Sequence, residues 1–201
     1  MVKRAHALQA FLDDLRHELE TIRVRKAARQ CIERVFAALD QPRPVTAREA
    51  TRLPVCAYLE DALANARGGN PSLAALTVSF EALEPNLTWT RRVHVDASAS
   101  SNFVDGHANA MIVGPNGVEL RDDVWVGVSL LAPHVRYPDH SHSPEEVYLV
   151  LSEGKFRQDD SGWFEPGIGG SFYNRPNIKH AMASGDAPLF AVWCLAPVVE
   201  H

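Results

Sequence analysis

The sequence predicts a mainly β protein, a single β-barrel that carries an N-terminal layer of α-helices. Apolar residues recur every three or four positions through the first third of the chain, which is typical of amphipathic helices. From about residue 86 onward, short β-prone runs alternate with turn residues, which indicates a sandwich or a barrel. We therefore assign residues 1–85 to a helical segment that packs on the barrel, and residues 86–201 to the barrel itself.

Two apolar stripes define the first two helices. Their members are Leu8, Phe11, Leu12, Leu15, Leu19 and Ile22, followed by Ala28, Cys31, Ile32, Val35, Phe36 and Leu39. Pro42 and Pro44 end this region because proline cannot continue a helix. A third short helix is predicted over about 58–66, before Gly68-Gly69. Asn70, followed by a proline, is predicted to cap the start of a fourth helix.

Six short runs are predicted as strands: 87–90, 110–113, 124–131, 146–151, 170–173 and 189–195. They are rich in β-branched and aromatic residues, which fit a pleated and half-buried surface. A turn is predicted at residues 115–117, where proline, asparagine and glycine follow one another. Strands at this spacing favour an antiparallel barrel.

Composition excludes several classes of protein. The formal net charge of −5 predicts no nucleic-acid partner. No run approaches the roughly 18–20 apolar residues that cross a bilayer, so no membrane association is predicted. Cys31, Cys56 and Cys194 are widely separated and form no CxxC pair, so we expect buried, reduced thiols. These features predict a cytoplasmic protein, and they leave a monomer and a homodimer equally open.

The residues that carry chemistry gather between positions 140 and 148. His140 and His142 are two residues apart, and so are Glu146 and Tyr148. Because residues i and i+2 of a strand face the same way, each pair is predicted to share a face. His180 adds a third imidazole from a distant segment. Imidazole and carboxylate ligands suit a divalent transition metal, and ligand type alone does not select the metal.

The spacing of these residues resembles the two motifs of the cupin superfamily, which are small jelly-roll barrels that bind one metal. The first motif corresponds to residues 140–146 and the second to residues 176–180. His134 and Asn177 stand where the superfamily usually has glycine. Asparagine tolerates a positive φ, so the turn at Asn177 can be kept. The resemblance implies a single cupin barrel.

A narrower resemblance concerns the bacterial cupin-type dimethylsulfoniopropionate (DMSP) lyases. It is carried by Tyr148 two residues after Glu146, by Tyr137-Pro138 before the histidines, and by the helical N-terminal region. Members of this family are carbon-sulfur lyases that cleave zwitterionic DMSP to dimethyl sulfide and acrylate. The resemblance covers about residues 110–195 by motif, and it implies that DMSP is the small-molecule substrate.

The resemblance also implies roles for individual residues. It implies these metal ligands: His142, Glu146, His180 and Tyr148. Tyr148 would serve as the base that removes the Cα proton, with Tyr137 and His140 as further catalytic candidates. The implied cofactor is one divalent transition metal, with zinc or iron preferred and manganese, nickel or cobalt also compatible.

The chemistry of DMSP cleavage agrees with such a site. A metal acting as a Lewis acid would stabilise the charge that develops on the substrate carboxylate. A base would then remove the Cα proton. Aromatic faces would hold the sulfonium through cation–π attraction of about 0.5–2 kcal/mol. Tyr137, Trp125 and Trp193 are candidates for this role, although both tryptophans also fit an ordinary barrel core.

Two other functions stay open at this point. A mononuclear iron dioxygenase could use the same ligands, but a tyrosine as close to the metal as Tyr148 disfavours the open coordination positions that oxygenases need. A non-catalytic cupin that binds a small ligand would use the metal for structure alone. In that protein Tyr148 would be an ordinary core tyrosine. Glu145 is expected to face solvent on the side opposite Glu146.

Overall fold

Helices form the first part of the fold in the computed structural model, which describes residues 3–45 and 49–196. The helices are α1 His6–Thr21, α2 Lys26–Leu39, α3 Leu59–Gly69 and α4 Ala74–Leu83, and a short helix α5, Phe103–Gly106, lies among the strands. Asn70 acts as a cap, because its side chain accepts the backbone N–H of Ser72 at 3.1 Å. The capped element is a short 3₁₀ turn, Pro71–Leu73, that leads into α4. None of the helices among the described residues has the length and apolar character needed to cross a membrane.

The strands form two antiparallel sheets. They are β1 Trp89–Thr90, β2 His107–Val113, β3 Trp125–Leu131, β4 Glu145–Val150, β5 Lys155–Gln158, β6 Ser171–Asn174, β7 His180–Ala183 and β8 Leu189–Ala196. The larger sheet has the order β1-β2-β3-β8-β4-β6, and the smaller sheet pairs β5 with β7. Isolated bridges join the segment between β3 and β4 to β7, at Arg136 with Ala183 and at His140 with His180. The predicted mainly β fold with an N-terminal layer of helices is confirmed.

Strands β5 and β7 were not predicted from the sequence. Both have only four residues, and neither contains a β-branched residue. They also carry polar residues such as Arg157 and His180, which weaken the alternating pattern that marks a half-buried strand. Their pairing with each other depends on the closure of the barrel, which single-sequence patterns do not show.

The helical layer and the barrel share one apolar core. Phe80 of α4 lies between Phe11 of α1 and Phe190 of β8, with ring centroids 5.8 Å and 5.0 Å apart. All three side chains are fully buried. Tilted aromatic pairs at this distance contribute about 0.5–1.5 kcal/mol beyond their area of burial. Packing of Phe80 on both sides therefore ties α1 and α4 to the larger sheet.

Helix α2 covers the outer face of β4, and this corrects the expectation for Glu145. Its side chain points away from Glu146, as expected, but Glu145 is only 7% exposed. Its carboxylate pairs with Arg34 of α2 and accepts a hydrogen bond from the hydroxyl of Tyr173 at 2.7 Å. The outward side of β4 is covered by helix and not by water, so the solvent-facing prediction was wrong.

The two positions that replace glycine in the cupin motifs both adopt left-handed backbone conformations. His134 and Asn177 each have φ of 59°. Hydrogen bonds hold both turns, since His134 N–H donates to Gly185 O at 2.8 Å and Asn177 N–H donates to His142 O at 2.9 Å. The second bond connects the turn before β7 directly to His142.

All three cysteines are free and buried, as predicted. Burial raises the pKa of Cys31 to about 12 and raises the pKa of Cys194 further still. Thiols with a raised pKa are poor nucleophiles and poor metal ligands. We therefore assign Cys31, Cys56 and Cys194 to packing.

A buried ion cluster connects the start of α1, the end of α2 and the segment before β3. The carboxylate of Glu119 is fully buried and pairs with Arg4 at 2.5 Å and with Arg121 at 3.0 Å. Arg4 also donates to the carbonyl of Leu39, and Arg121 donates to that of Ala38, both at the C-terminal end of α2. The two guanidinium groups thus satisfy carbonyls that a helix end leaves unpaired.

Replacing Glu119 with alanine is expected to lower the free energy of unfolding by about 3–5 kcal/mol, because the buried guanidinium of Arg4 loses its carboxylate and that of Arg121 keeps only Asp123. Urea denaturation followed by circular dichroism measures this loss. The matched control is Glu81→Ala, which breaks the more exposed pair with Arg67 and should cost within ~1 kcal/mol. Equal losses in the two variants would contradict a structural role for the buried cluster.

Candidate active site

Three segments bring the predicted site residues together. Strand β4 supplies Glu146 and Tyr148, β7 begins with His180, and the segment between β3 and β4 supplies His140 and His142. That segment is not a regular strand, which corrects the reason for expecting a shared face. His140 pairs with His180 through an isolated bridge of two backbone hydrogen bonds, of 3.0 and 2.8 Å, and His142 lies outside any strand. Both imidazoles nevertheless reach the same cavity.

Prolines explain the irregular backbone around the two histidines. Pro138 and Pro144 flank the pair, and proline cannot donate to a sheet ladder. The position of His142 is instead set by the bond that its carbonyl accepts from Asn177. Asp139, beside His140, is paired with Arg136 at 2.9 Å and with Arg157 at 2.6 Å. These contacts hold the segment on the small sheet.

The tightest polar group beside the cavity consists of His142, Glu146 and His180. One ligand atom of each residue lies within 4.8 Å of the other two. Nε2 of His142 is 3.4 Å from Oε2 of Glu146, and Nε2 of His180 is 3.3 Å from the same oxygen. Within residues 3–45 and 49–196, Nε2 of His180 is buried and has no hydrogen-bond partner.

The tautomers of the three imidazoles follow from their backbone contacts. Nδ1 of His140, His142 and His180 lies 3.0, 2.8 and 2.9 Å from a backbone carbonyl two residues away. A carbonyl only accepts, so each Nδ1 carries a proton, and each ring in its neutral form presents a lone pair at Nε2. This arrangement is the usual support of histidines that bind a metal.

The charges of the site also suit a cation. Burial would raise the pKa of Glu146, but His142, His180 and Asn174 together lower it, so the carboxylate is ionised. The side chain of Asn174 donates to its Oε2 at 2.8 Å. Burial and the neighbouring His180 lower the pKa of His140 to about 3, and burial also lowers the pKa of His180. Burial lowers the pKa of His142 as well, but its hydrogen bond to Glu146 and the charge of that carboxylate raise it overall. A buried anion therefore lies among three imidazoles, two of which have a lowered pKa.

These residues fit a divalent transition metal. Ligand atoms about 2.1 Å from a tetrahedral ion lie about 3.4 Å from one another, close to the separations around Glu146. A bound cation would also give the buried Nε2 of His180 the partner that it lacks among the described residues. The nitrogen and oxygen donors are compatible with several metals.

The group lies on one side of a cavity of about 210 Å³. Its lining residues are Asn109, Met111, Trp125, Ser129, Tyr137, His140, His142, Glu146, Tyr148, Met182, Trp193 and Leu195. This volume is below the range typical for drug-sized ligands, so the cavity suits a small molecule. Indole and phenol rings and thioethers surround one ionised carboxylate, an arrangement that can accept a small ligand with a positive charge.

Tyr148 faces the cavity beside Glu146, as predicted. Its side chain is 3% exposed, and its ring stacks on Phe172 with centroids 4.9 Å apart and planes at 9°. Burial raises the pKa of Tyr148 well above its usual value, and the adjacent Glu146 carboxylate raises it further. The phenol is therefore protonated in the absence of nearby positive charge.

Sequence reasoning missed several residues of the cavity wall. Asn109 and Ser129 line it, together with Met111, Met182 and Leu195. Asn109 and Ser129 are polar residues inside apolar strand runs, and that interruption was the signal that could have found them. The methionines and Leu195 resemble core residues and gave no separate signal.

Comparison with known proteins identifies the family. A family model described as dimethylsulfoniopropionate lyase matches residues 27–191, which is most of the chain. The chain belongs to the dimethylsulfoniopropionate lyase family. The resemblance inferred from the motifs is thereby confirmed.

Two relatives of the DMSP lyase family have similar sequences. The putative dimethylsulfoniopropionate lyase DddL of Cereibacter sphaeroides is 27% identical over 164 residues, which cover 82% of this chain and 65% of that protein. The dimethylsulfoniopropionate lyase DddQ of Ruegeria pomeroyi is 26% identical over 157 residues, which cover 75% of this chain and 72% of that protein. The chain thus matches somewhat less than two thirds of the length of DddL.

Solved structures agree on the fold. A chain from the crystal structures of the DMSP lyases RdDddP and RnDddQII superposes with a TM-score of 0.71 at 22% identity, covering 96% of this chain and 93% of that one. The crystal structure of DMSP lyase DddQ from Ruegeria pomeroyi DSS-3 gives 0.69 at 22% identity, with coverage of 98% and 95%. At these identities the likeness shows a shared fold, and it confirms the predicted single barrel with its helical layer.

Proposed function

We propose that this protein is a metal-dependent DMSP lyase, which cleaves DMSP to dimethyl sulfide and acrylate by β-elimination. The observation that carries the proposal is the convergence of His142, Glu146 and His180 beside a small cavity that Tyr148 also lines, in a chain that belongs to the DMSP lyase family. The site also offers what a small zwitterion needs. Its ligand side chains can hold a metal ion that would bind the carboxylate, and its aromatic rings can contact the sulfonium.

Three side chains would hold the metal. His142, Glu146 and His180 are the proposed ligands, and Tyr148 is a further ligand when it is deprotonated. Zinc or iron suits this mixed set of nitrogen and oxygen donors best, and manganese, nickel or cobalt is also compatible. When bound, the divalent ion supplies Lewis-acid stabilisation of the negative charge that develops on the substrate carboxylate.

Tyr148 is the proposed base. As a phenolate, its oxygen takes the Cα proton of DMSP, and the electron pair of the broken Cα–H bond forms the double bond of acrylate. The Cβ–S bond breaks, and its electron pair leaves with sulfur as neutral dimethyl sulfide. Burial and Glu146 keep this phenol protonated, so positive charge close to the hydroxyl is required before the step can begin.

Trp125 and Trp193 are the proposed contacts for the sulfonium. Both indoles line the cavity, and cation–π attraction to each ring contributes about 0.5–2 kcal/mol. Tyr137 was the first candidate from the sequence. In the structure, however, the guanidinium of Arg92 already lies 5.8 Å from the centre of its ring. A second cation on that ring is disfavoured, so we assign Tyr137 to substrate binding through its hydroxyl.

His140 is proposed as a neutral neighbour of the reacting groups. Its ring lies 4.1 Å from that of His180 and 5.0 Å from that of Tyr137, measured between centroids. Its low pKa, caused first by burial, leaves an unprotonated Nε2 that can accept a proton or a hydrogen bond. His140 lies outside the tight group of three ligand atoms, so we place it next to the metal site.

The proposal predicts dimethyl sulfide in the headspace when metal-loaded protein is incubated with DMSP, with one acrylate formed for each dimethyl sulfide. Protein stripped with a chelator is the control and should lose turnover, and the proposed metals should restore it individually. The reaction should proceed without oxygen, because β-elimination consumes none. Absence of both products with zinc, iron, manganese, nickel and cobalt would contradict the proposal, and a requirement for oxygen would favour the dioxygenase.

We also propose that the protein acts in the cytoplasm as a monomer or a homodimer. The support is its three free, buried thiols, which are typical of a reducing compartment. Cell fractionation and size-exclusion chromatography with light scattering test the location and the oligomeric state.

A further inference from the structure

A chain of hydrogen bonds crosses the inner face of the large sheet and ends at Tyr137. The indole N–H of Trp193 donates to Oγ of Ser129 at 3.1 Å. The hydroxyl of Ser129 donates to Oδ1 of Asn109 at 2.7 Å, and Nδ2 of Asn109 donates to the oxygen of Tyr137 at 3.2 Å. An indole N–H can only donate, so it sets the donor-to-acceptor direction of every hydrogen bond in this series.

The sheet register explains why these residues meet. Asn109 of β2 and Ser129 of β3 are cross-strand partners, and so are Gly127 of β3 and Trp193 of β8. A Cβ atom at Gly127 would overlap Cη2 of Trp193. Glycine at this position therefore lets the indole lie across β3, where its N–H reaches Ser129 two residues further along.

The direction of these hydrogen bonds makes the hydroxyl oxygen of Tyr137 an acceptor. Its oxygen accepts from Asn109, so its proton is not used in that bond. Among the residues that the structure describes, the Tyr137 hydroxyl has no acceptor for its own proton. Tyr137 lines the cavity next to His140 and is only 6% exposed. A buried O–H with no acceptor favours a ligand that brings one.

We infer that Asn109, oriented by Ser129 and Trp193, is a positioning residue that makes Tyr137 a hydrogen-bond donor to a carboxylate in the cavity. It acts through Tyr137 and selects ligands that carry an anionic oxygen. That DMSP is the ligand rests on the proposed function, whereas the preference for a carboxylate rests on the hydrogen bonds alone. A hydrogen bond to a charged group is worth about 10- to 100-fold in affinity.

Replacing Asn109 with aspartate tests the inference, because it exchanges the amide donor for an acceptor. The hydroxyl of Tyr137 would then donate to the new carboxylate and would be lost to the ligand. In the metal-loaded enzyme we expect the KM for DMSP to rise about 10- to 100-fold, with a smaller change in kcat. The matched control is Asn86→Asp, which makes the same change at an exposed position, where the amide donates to the carbonyl of Leu83.

Binding measurements separate this role from a purely structural one. We expect Asn109→Asp and Ser129→Ala to weaken acrylate binding, measured by calorimetry at equal metal content. Binding of tetramethylammonium should be unchanged in Ser129→Ala and should not weaken in Asn109→Asp, whose added negative charge favours a cation. Ser129→Thr should keep acrylate affinity because it keeps the hydroxyl. Loss of affinity for both probes would indicate a disrupted cavity and would overturn the inference, as would unchanged acrylate affinity in both variants.

The same measurements distinguish the inference from the proposed function. Wild-type protein that binds acrylate in an Asn109-dependent manner but does not cleave DMSP would contradict the lyase proposal and support the positioning role. If wild-type protein cleaves DMSP but its acrylate affinity does not depend on Asn109, the lyase proposal is supported and the positioning role of Asn109 is contradicted. If Asn109→Asp does not fold, Ser129→Ala and Ser129→Thr carry the test, because the first removes the oxygen that orients Asn109 and the second keeps it.

Discussion

Replacing Tyr148 with phenylalanine is expected to lower lyase turnover by about 10²–10⁴-fold, the usual contribution of a general base. The substitution removes the hydroxyl and keeps the ring, which should remain stacked on Phe172. The three proposed ligands, His142, Glu146 and His180, are unchanged, so metal content should fall little. A large loss of turnover with the metal retained is the combination that defines a base.

Isotope exchange tests the same role more directly. In deuterated water, an enzyme with its base can exchange the Cα hydrogen of DMSP, and Tyr148→Phe should not. The control is Tyr58→Phe, which removes a hydroxyl from a side chain that is 39% exposed. This control should retain wild-type turnover. Near-normal turnover in metal-replete Tyr148→Phe would make Tyr148 a core tyrosine and would direct attention to Tyr137 and His140.

Replacing His180 with alanine should remove most of the metal and abolish turnover. Its Nε2 is buried and lies 3.3 Å from the oxygen of Glu146 that is also near His142. Changes to groups that only support ligands typically cost 10–100-fold in metal affinity, so loss of a ligand itself should cost more than about 100-fold. The remaining carboxylate would keep its buried charge with one imidazole fewer to compensate it.

Elemental analysis of the purified variant measures the effect. The matched control is His17→Ala on the exposed face of α1, which should retain full metal content and turnover. Circular dichroism distinguishes loss of metal from loss of fold. Full metal occupancy in folded His180→Ala would contradict the ligand assignment.

Local sequence patterns were sufficient where a residue and its partners are close in the chain. The apolar stripe that includes Leu8 and Leu15 marked the buried face of α1, because helical periodicity acts over one or two turns. The pair Glu146 and Tyr148 was placed on one face, because both lie on a regular strand. The left-handed turn at Asn177 was predicted for the same local reason, the low cost of positive φ for asparagine.

Patterns failed where the environment of a residue comes from a distant segment. Glu145 looked like an exposed acid, but α2 covers it with Arg34, which is 111 positions away. His140 and His142 were expected on a strand, and their common cavity results instead from bonds to His180 and Asn177. Such contacts depend on how the sheets close, and a periodicity of two residues holds no information about closure.

The sequence by itself determined the fold class, the family resemblance and the set of candidate ligands, because helix periodicity, strand alternation and motif spacing are local properties of the chain. Only the tertiary structure decided which atoms meet. It brought Glu146 between two imidazoles, left Nε2 of His180 without a hydrogen-bond partner among the described residues, and linked Trp193 to Tyr137 through two neighbouring strands. The physical reason is that hydrogen bonds and ligand geometry act over about 3 Å, and the order of strands in the sheet sets which distant residues come that close.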